Sequence, residues 1–128
     1  MHHGQILFSE DNNIVICHPI GAFNVEGLVL YEPNFVRLLK QLKPGNWALI
    51  SIYEEFEVSG PEVVEKAKEQ LNWCCANGCK YTAFVTHSAL QEYYVRQVSE
   101  GVPFEYNEIF SDANVAEEAL RDQLNRQS

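Results

Sequence analysis

The cysteines are the residues of this chain with the most reactive side chains, and there are four, at Cys17, Cys74, Cys75 and Cys79. Cys75 and Cys79 have helical spacing, but Gly78 predicts the end of a helix between them and turns Cys79 into the following loop. A structural zinc site needs four ligands, typically in two pairs, and no second pair is recognisable in the sequence. The Cys-x-x-Cys redox spacing is absent as well. We therefore expect buried thiols that pack as small apolar groups, with no metal or cofactor.

His87 and Ser88 stand side by side, a pairing that could suggest a hydrolase. Adjacent residues, however, rarely reach the geometry that a base and a nucleophile need. The sequence contains no Gly-x-Ser-x-Gly elbow, and it offers no identifiable acid partner. Because Ser88 is also well placed to cap a helix, its presence needs no catalytic role. We therefore expect that the chain is not an enzyme.

The acidic run Glu54, Glu55 and Glu57 follows a predicted strand. If this segment is extended, its side chains alternate, so Glu55 and Glu57 share one side and Glu54 lies on the other. A calcium loop is not predicted, since spaced Asp and Asn ligands with a turn glycine are lacking. Phe56 is interleaved with these carboxylates, which favours a solvated edge of mixed character. We interpret the segment as a docking surface for a protein partner.

Charge and length exclude several classes of protein. The 128 residues fit one domain with one core. The 18 acidic and 9 basic residues give a formal charge of −9, which repels nucleic acid and anionic lipid headgroups. No apolar stretch approaches the ~20 residues of a membrane span. The first residues lack the basic and apolar regions of a secretory signal, so we expect a cytoplasmic protein with reduced thiols.

Residues that can cap a helix follow the predicted strands. They are Asn24, Ser59, Ser88 and Asp112. Ser59 with Glu62, and Ser88 with Gln91, fit the capping-box spacing. Alternating strand, cap and helix is typical of an α/β fold, which gathers its strand-to-helix loops at the carboxyl edge of the sheet. We therefore predict a ligand edge there that contains Asn24, His87, Ser88 and Asp112.

The predicted order of elements is β-β-α-β-α-β-α-β-α. The strands are Gln5 to Ser9, Asn13 to Ile20, Trp47 to Tyr53, Tyr81 to Val85 and about Glu105 to Phe110. Pro33 interrupts the helical pattern after Asn24, so a second helix should begin at Glu32-Pro33. The nearly continuous apolar run from Trp47 to Tyr53 predicts an interior strand. A hairpin followed by helical crossovers predicts about five strands, mostly parallel with the first antiparallel at an edge, and four to five helices.

Several short segments carry a resemblance to a known family. They are the hairpin leading to Gly21-Ala22-Phe23-Asn24, Tyr31-Glu32-Pro33-Asn34-Phe35, the central strand from Trp47 to Phe56, Gly78-Cys79-Lys80 and Phe110-Ser111-Asp112. In this order they resemble the SpoIIAA-like group of the STAS and lipid-binding (Sec14-like) superfamily, from about Gln5 to Leu124. The resemblance implies a single STAS-like α/β domain over residues 1–128 that acts by binding.

Anti-sigma-factor antagonists of this superfamily carry a phosphorylated serine where the helix after the central strand begins, and it controls docking to a kinase. The matching residue is Ser59, although this chain reads Val58-Ser59-Gly60 where the antagonists look like Asp-Ser-Ser-Gly. The resemblance therefore implies a regulatory protein-interaction domain. Its phospho-acceptor or docking loop would contain Ser59, Glu55, Phe56 and Glu57.

The lipid-binding branch of the superfamily implies a second function, that of a carrier or sensor. A small apolar ligand or lipid would then lie between the Pro33-containing helix and the sheet. The sequence names neither the protein partner nor the ligand. It also leaves the oligomeric state open, including a homodimer.

Overall fold

A computed structural model describes residues 4–57 and 60–126 of the chain. Within these ranges it has six strands and five helices. They are β1 Gln5–Asp11, β2 Ile14–Ala22, α1 Val25–Leu30, α2 Glu32–Leu39, β3 Trp47–Ile52, β4 Phe56–Glu57, α3 Pro61–Ala76, β5 Cys79–Val85, α4 Ala89–Ser99, β6 Tyr106–Phe110 and α5 Ala113–Asn125. The predicted α/β class and element order are confirmed, and β4 is a short addition.

The strands form one mixed sheet in the order β1-β2-β3-β5-β6, and β4 pairs with the end of β2. The edge strand β1 runs antiparallel to β2, and the pairs β2–β3, β3–β5 and β5–β6 are parallel. The strand predicted from Trp47 to Tyr53 lies at the centre of this order as β3. The predicted topology is therefore confirmed, because helical crossovers between β2, β3, β5 and β6 allow only parallel pairing.

The β1–β2 hairpin turns at Asn12 and Asn13, whose φ angles are +46° and +70°. Asparagine tolerates this left-handed region better than most residues and suits a two-residue hairpin turn. The side chain of Asn13 also accepts from Lys43 N at 2.9 Å and donates to Lys43 O at 3.0 Å. The resulting register places Ile6 and Phe8 on the same face of the sheet.

The predicted break at Pro33 is confirmed. The first helix ends at Leu30, and α2 begins at Glu32 with Pro33 in its first turn. Proline lacks an N–H, so it fits a first helical turn, where that donor would be unpaired, and it would disrupt a continuous helix. Tyr31 lies between the two helices and changes the direction of the chain.

Side chains cap three of the helices as predicted. Asn24 Oδ1 accepts from Gly27 N at 2.7 Å, and Ser88 Oγ accepts from Gln91 N at 3.1 Å. Asp112 Oδ1 accepts from Val115 N at 3.0 Å. Gln91 Oε1 reaches back to accept from His87 N at 2.8 Å, one residue earlier than a standard capping box. These loops at the carboxyl edge are therefore held by hydrogen bonds between side chain and backbone.

The cap predicted for α3 is wrong. The N-cap is Gly60, and it makes no side-chain hydrogen bond to the helix. Pro61 occupies the first helical position, where its fixed φ angle suits the helix, so the cap is the residue directly before it. Ser59 itself lies outside the described residues, as does Val58.

The sheet is covered on both faces. The helices α1, α3 and α4 cover one face with a cluster that includes Val63, Leu71, Val95 and Val98, and α5 covers the other through Ala116 and Leu120. These helical residues are buried on β2, β3 and β5, which explains the apolar runs in those strands.

The end of α3 is fixed by Trp47 and Gly78. The predicted stop is confirmed, because α3 ends at Ala76 and Gly78 has a φ angle of +100°. Trp47 Nε1 donates to Asn77 O at 2.8 Å, and a Cβ on Gly78 would lie 3.1 Å from the same nitrogen. The positive φ angle therefore favours glycine here, and a side chain would also crowd Trp47.

Candidate functional site

A cavity of about 610 Å³ lies between α2, α3 and the sheet. None of the residues of α2 is buried, although Phe35, Leu38 and Leu39 pack partly against the core. The helix therefore covers this part of the sheet without filling the space beneath it. Such a volume lies within the ~300–1,000 Å³ range of small-molecule sites.

The three strands β1, β2 and β3 provide the floor of the cavity. Alternation along each strand brings one set of side chains to this face: Ile6, Phe8, Cys17, Pro19, Leu49, Ser51 and Tyr53. Most are apolar, and the two hydroxyl groups belong to Ser51 of β3 and to Tyr53 directly after it. The edge strand β1 is in contact with α2 on this face.

Helices and aromatic rings form the roof and walls. Phe35 of α2 is the central roof residue, since its ring centroid lies 5.8 Å from Phe8, 6.0 Å from Trp47 and 6.3 Å from Trp73. Further wall residues come from α1, α3, α4 and β4: Leu28, Ala67, Leu71, Cys74, Tyr94 and Phe56. Aromatic rings give the cavity large, rigid apolar surfaces.

The inner end of the cavity carries a small group of neutral polar side chains, Ser51, Tyr53, Tyr94 and Cys17. Burial raises the pKa of Tyr53 well above its usual value, the nearby Tyr94 and Cys17 raise it further, and a hydrogen bond with Ser51 lowers it in part. Burial likewise raises the pKa of Tyr94 and of Cys17. All of these groups therefore keep their protons at neutral pH.

The outer end of the cavity is charged and links α1 and α2 to α3. Lys66 Nζ lies 3.7 Å from Glu32 Oε2 and 3.4 Å from Glu69 Oε1. Gln70 Nε2 donates to Glu32 Oε2 at 3.0 Å and to Leu28 O at 3.3 Å. These contacts hold the start of α2, and opening the cavity would break them.

The cysteines are free thiols, and Cys74 and Cys79 are buried. Burial, with a smaller contribution from the neighbouring Cys75, raises the pKa of Cys74 to about 12. Across residues 4–57 and 60–126 no three His, Cys, Asp or Glu side chains come together as metal ligands would. Cys74 and Cys79 are therefore buried as expected, whereas Cys17 and Cys75 are only partly buried against the core.

The predicted docking loop has a different local structure from the one expected. Glu54 and Glu55 form a turn, in which Phe56 N donates to Tyr53 O at 3.1 Å, so the segment is not extended throughout. The interpretation of Phe56 as a surface residue is wrong, because its side chain is 4% exposed and packs on Phe23, Tyr53 and Tyr94. Glu54, Glu55 and Glu57 are exposed.

Contacts between distant segments hold this loop. Glu54 Oε1 lies 3.4 Å from His87 Nε2, and Glu55 Oε1 lies 3.2 Å from His18 Nε2, a close approach without hydrogen-bond alignment. Gln91 Nε2 donates to the backbone oxygens of Glu54 and Phe56 at 3.4 and 3.2 Å. His87 is therefore paired with a carboxylate, while Ser88 caps α4.

The predicted ligand edge does not form a single site. His87 and Ser88 line an open groove of about 690 Å³ between α4 and the edge strand β6. Asn24 and Asp112 are not among its lining residues, and each caps its own helix. Sequence reasoning placed an apolar ligand between the Pro33-containing helix and the sheet, which is where the cavity lies. The sequence analysis did not identify Ser51, Tyr53 and Tyr94 as cavity residues. The alternation of side chains along β3 could have placed Ser51 and Tyr53 on this face.

Throughout the described ranges, no helix is both long and apolar enough to span a membrane.

Comparisons with known proteins identify the fold. The chain matches no protein-family model and no curated protein. It is similar to the crystal structure of an uncharacterized protein from the DUF3478 family with a SpoIIAA-like fold, from Shewanella loihica PV-4. The identity is 17%, the TM-score is 0.68, and the match covers 94% of this chain and 95% of that one. The chain therefore has a SpoIIAA-like fold, as the resemblance implied.

Proposed function

We propose that this domain is a non-enzymatic binding protein, a carrier or sensor that holds a small apolar ligand between α2 and the sheet. The cavity of about 610 Å³ beneath α2 is the observation that carries the proposal. Its surface consists mainly of apolar and aromatic side chains, with polar groups confined to its two ends. Ligand sites have this composition, because apolar area supplies affinity and a few polar groups fix orientation.

The chemistry of the inner end supports binding over catalysis. Burial raises the pKa of Tyr94 and of Cys17, so neither gives up its proton readily near neutral pH. A general base or nucleophile would need a pKa closer to the working pH. Neutral hydroxyl groups suit a hydrogen bond to a ligand instead.

The weak attachment of α2 supports a route of entry. This helix has no buried residue, and its start is held by Glu32 through contacts with Lys66 and Gln70. A segment with few buried contacts opens at a lower free energy than the rest of the fold. The ligand would enter as α2 moves away from β1.

Filling the cavity tests this function. Ala67 is 8% exposed and lies in the cavity wall on α3, so Ala67→Phe should fill the space, and its melting temperature shows that the variant is folded. The matched control is Ala76→Phe, on an exposed position of the same helix. We expect wild type and Ala76→Phe to bind the neutral apolar dye Nile red, with enhanced fluorescence, and Ala67→Phe to lose that binding. Native mass spectrometry should also find a co-purified apolar molecule in the first two proteins. Equal dye binding by all three proteins would contradict the proposal.

A regulatory protein interaction is a second candidate function, and one surface favours it. Leu90 and Tyr93 on α4 are 61% and 59% exposed, and they begin the helix beside the acidic loop Glu54–Glu57. Exposed apolar residues next to carboxylates suit a docking surface for a partner with a basic rim. The free thiols agree with a reducing cytoplasm as the setting. A Leu90→Ser, Tyr93→Ser double variant should keep its melting temperature and lose a partner that the wild type retains.

A further inference from the structure

We infer that the ligand is an uncharged amphiphile, with an apolar body and one neutral hydrogen-bonding group such as a hydroxyl or ketone, and that this group binds at the inner end of the cavity beside Tyr94. The inference rests on the proposed carrier function and adds the class of ligand. Its basis is the contrast between the two ends of the cavity.

The inner end contains a hydroxyl that a ligand could pair with. Tyr94 is 2% exposed and lines the cavity, and within the described ranges the structure gives its hydroxyl no hydrogen bond. Tyr53 differs, since Ser51 lies near its hydroxyl and lowers the Tyr53 pKa in part. A ligand oxygen that reaches this hydroxyl of Tyr94 from the cavity would accept a hydrogen bond from it. The inner end of the cavity therefore suits a ligand with one small polar group.

The charges along the cavity disfavour an anionic headgroup. Lys66 is the one cation among its described lining residues, and it already contacts the carboxylates of Glu32 and Glu69. A carboxylate or phosphate at the outer end would therefore meet two like charges for one opposite charge. At the inner end an ion would lie among neutral groups, with no counter-charge to offset its desolvation.

A cationic headgroup is disfavoured for a related reason. At the inner end, Ser51, Tyr53, Tyr94 and Cys17 keep their protons at neutral pH and supply no negative charge. At the outer end, Glu32 is already shared between Lys66 and Gln70. An ammonium group would have to displace these contacts, which also hold α2 in place.

Displacement of Nile red by three molecules of equal chain length tests the inference: dodecanol, dodecanoate and dodecylammonium. We expect dodecanol to displace the dye at a concentration at least about tenfold lower than either ion. Because dodecanol is also the least soluble of the three, the deciding measurement uses Tyr94→Phe. This variant should bind dodecanol about two- to tenfold more weakly than wild type does, which is the loss of one hydrogen bond. Nile red carries a ketone of its own, so its affinity is measured separately for each protein before the displacement is analysed. The melting temperature of Tyr94→Phe should not change.

Tyr93→Phe is the matched control, since it removes a hydroxyl from an exposed position on the same helix. It should leave every affinity unchanged. Equal dodecanol binding by wild type and Tyr94→Phe would overturn the inference about the inner end. Tighter binding of dodecanoate that is lost in Lys66→Gln would assign an anionic lipid instead, and would leave the carrier function standing. If Nile red and all three competitors fail to bind the wild type, the carrier function fails and the inference fails with it.

Discussion

Replacing Phe35 with alanine measures how firmly α2 is held over the cavity. Phe35 is the α2 side chain with ring contacts to Phe8, Trp47 and Trp73. Each aromatic pair contributes about 0.5–1.5 kcal/mol beyond burial of area, and a fully buried Phe→Ala change costs about 3–5 kcal/mol. Phe35 is only partly buried and one side of its ring faces the cavity, so fewer contacts are lost. We expect the free energy of unfolding to fall by about 2 kcal/mol.

Leu120→Ala provides the comparison. Leu120 lies on the buried face of α5 and is 0% exposed, so Leu120→Ala should cost about 2–5 kcal/mol, as much as or more than Phe35→Ala. Urea unfolding of both variants gives the two values. Hydrogen exchange adds a local measurement: Phe35→Ala should speed exchange in α2 and leave β3 protected, whereas Leu120→Ala should speed exchange through the whole sheet.

Two results would refute this reasoning. A loss near 4 kcal/mol for Phe35→Ala would mean that α2 closes fully on the sheet in solution and that the cavity does not persist. No loss, together with unchanged exchange in α2, would mean that the ring contacts do not hold the helix. Either result removes the physical basis for α2 as the cover of a binding site.

Three further predictions concern the thiols and the helix caps. Purified protein should contain no stoichiometric zinc by elemental analysis, and a chelator should leave its thermal midpoint unchanged, since a structural metal would contribute folding free energy directly. Stability should fall as the pH rises above about 9, because the Cys74 thiol has a pKa near 9 in the unfolded chain and near 12 in the folded protein. Urea unfolding midpoints measured across this pH range test the prediction. A midpoint that does not change with pH would contradict it. Ser88→Ala should cost about 0.5–2 kcal/mol while Ser88→Asp keeps most of the stability, because aspartate also caps a helix. Equal losses for Ser88→Ala and Ser88→Asp in denaturant unfolding would contradict the assigned cap.

The sequence by itself determined the elements whose causes are local. Pro33 ends one helix and begins the next, Asn24, Ser88 and Asp112 cap the helices that follow them, and Gly78 ends α3. Each of these features depends on residues within a few positions along the chain. The apolar run of β3 predicted its central place for a similar reason, since a strand covered on both faces has no polar alternation.

Only the tertiary structure decided how distant segments combine. It placed His87 beside Glu54 and His18 beside Glu55, it buried Phe56 in an aromatic cluster, and it brought Tyr94 of α4 to the end of β3. It also left a space under α2 where the pattern of apolar residues alone would predict close packing. These outcomes depend on the volumes and angles at which whole elements meet, and no local spacing encodes them.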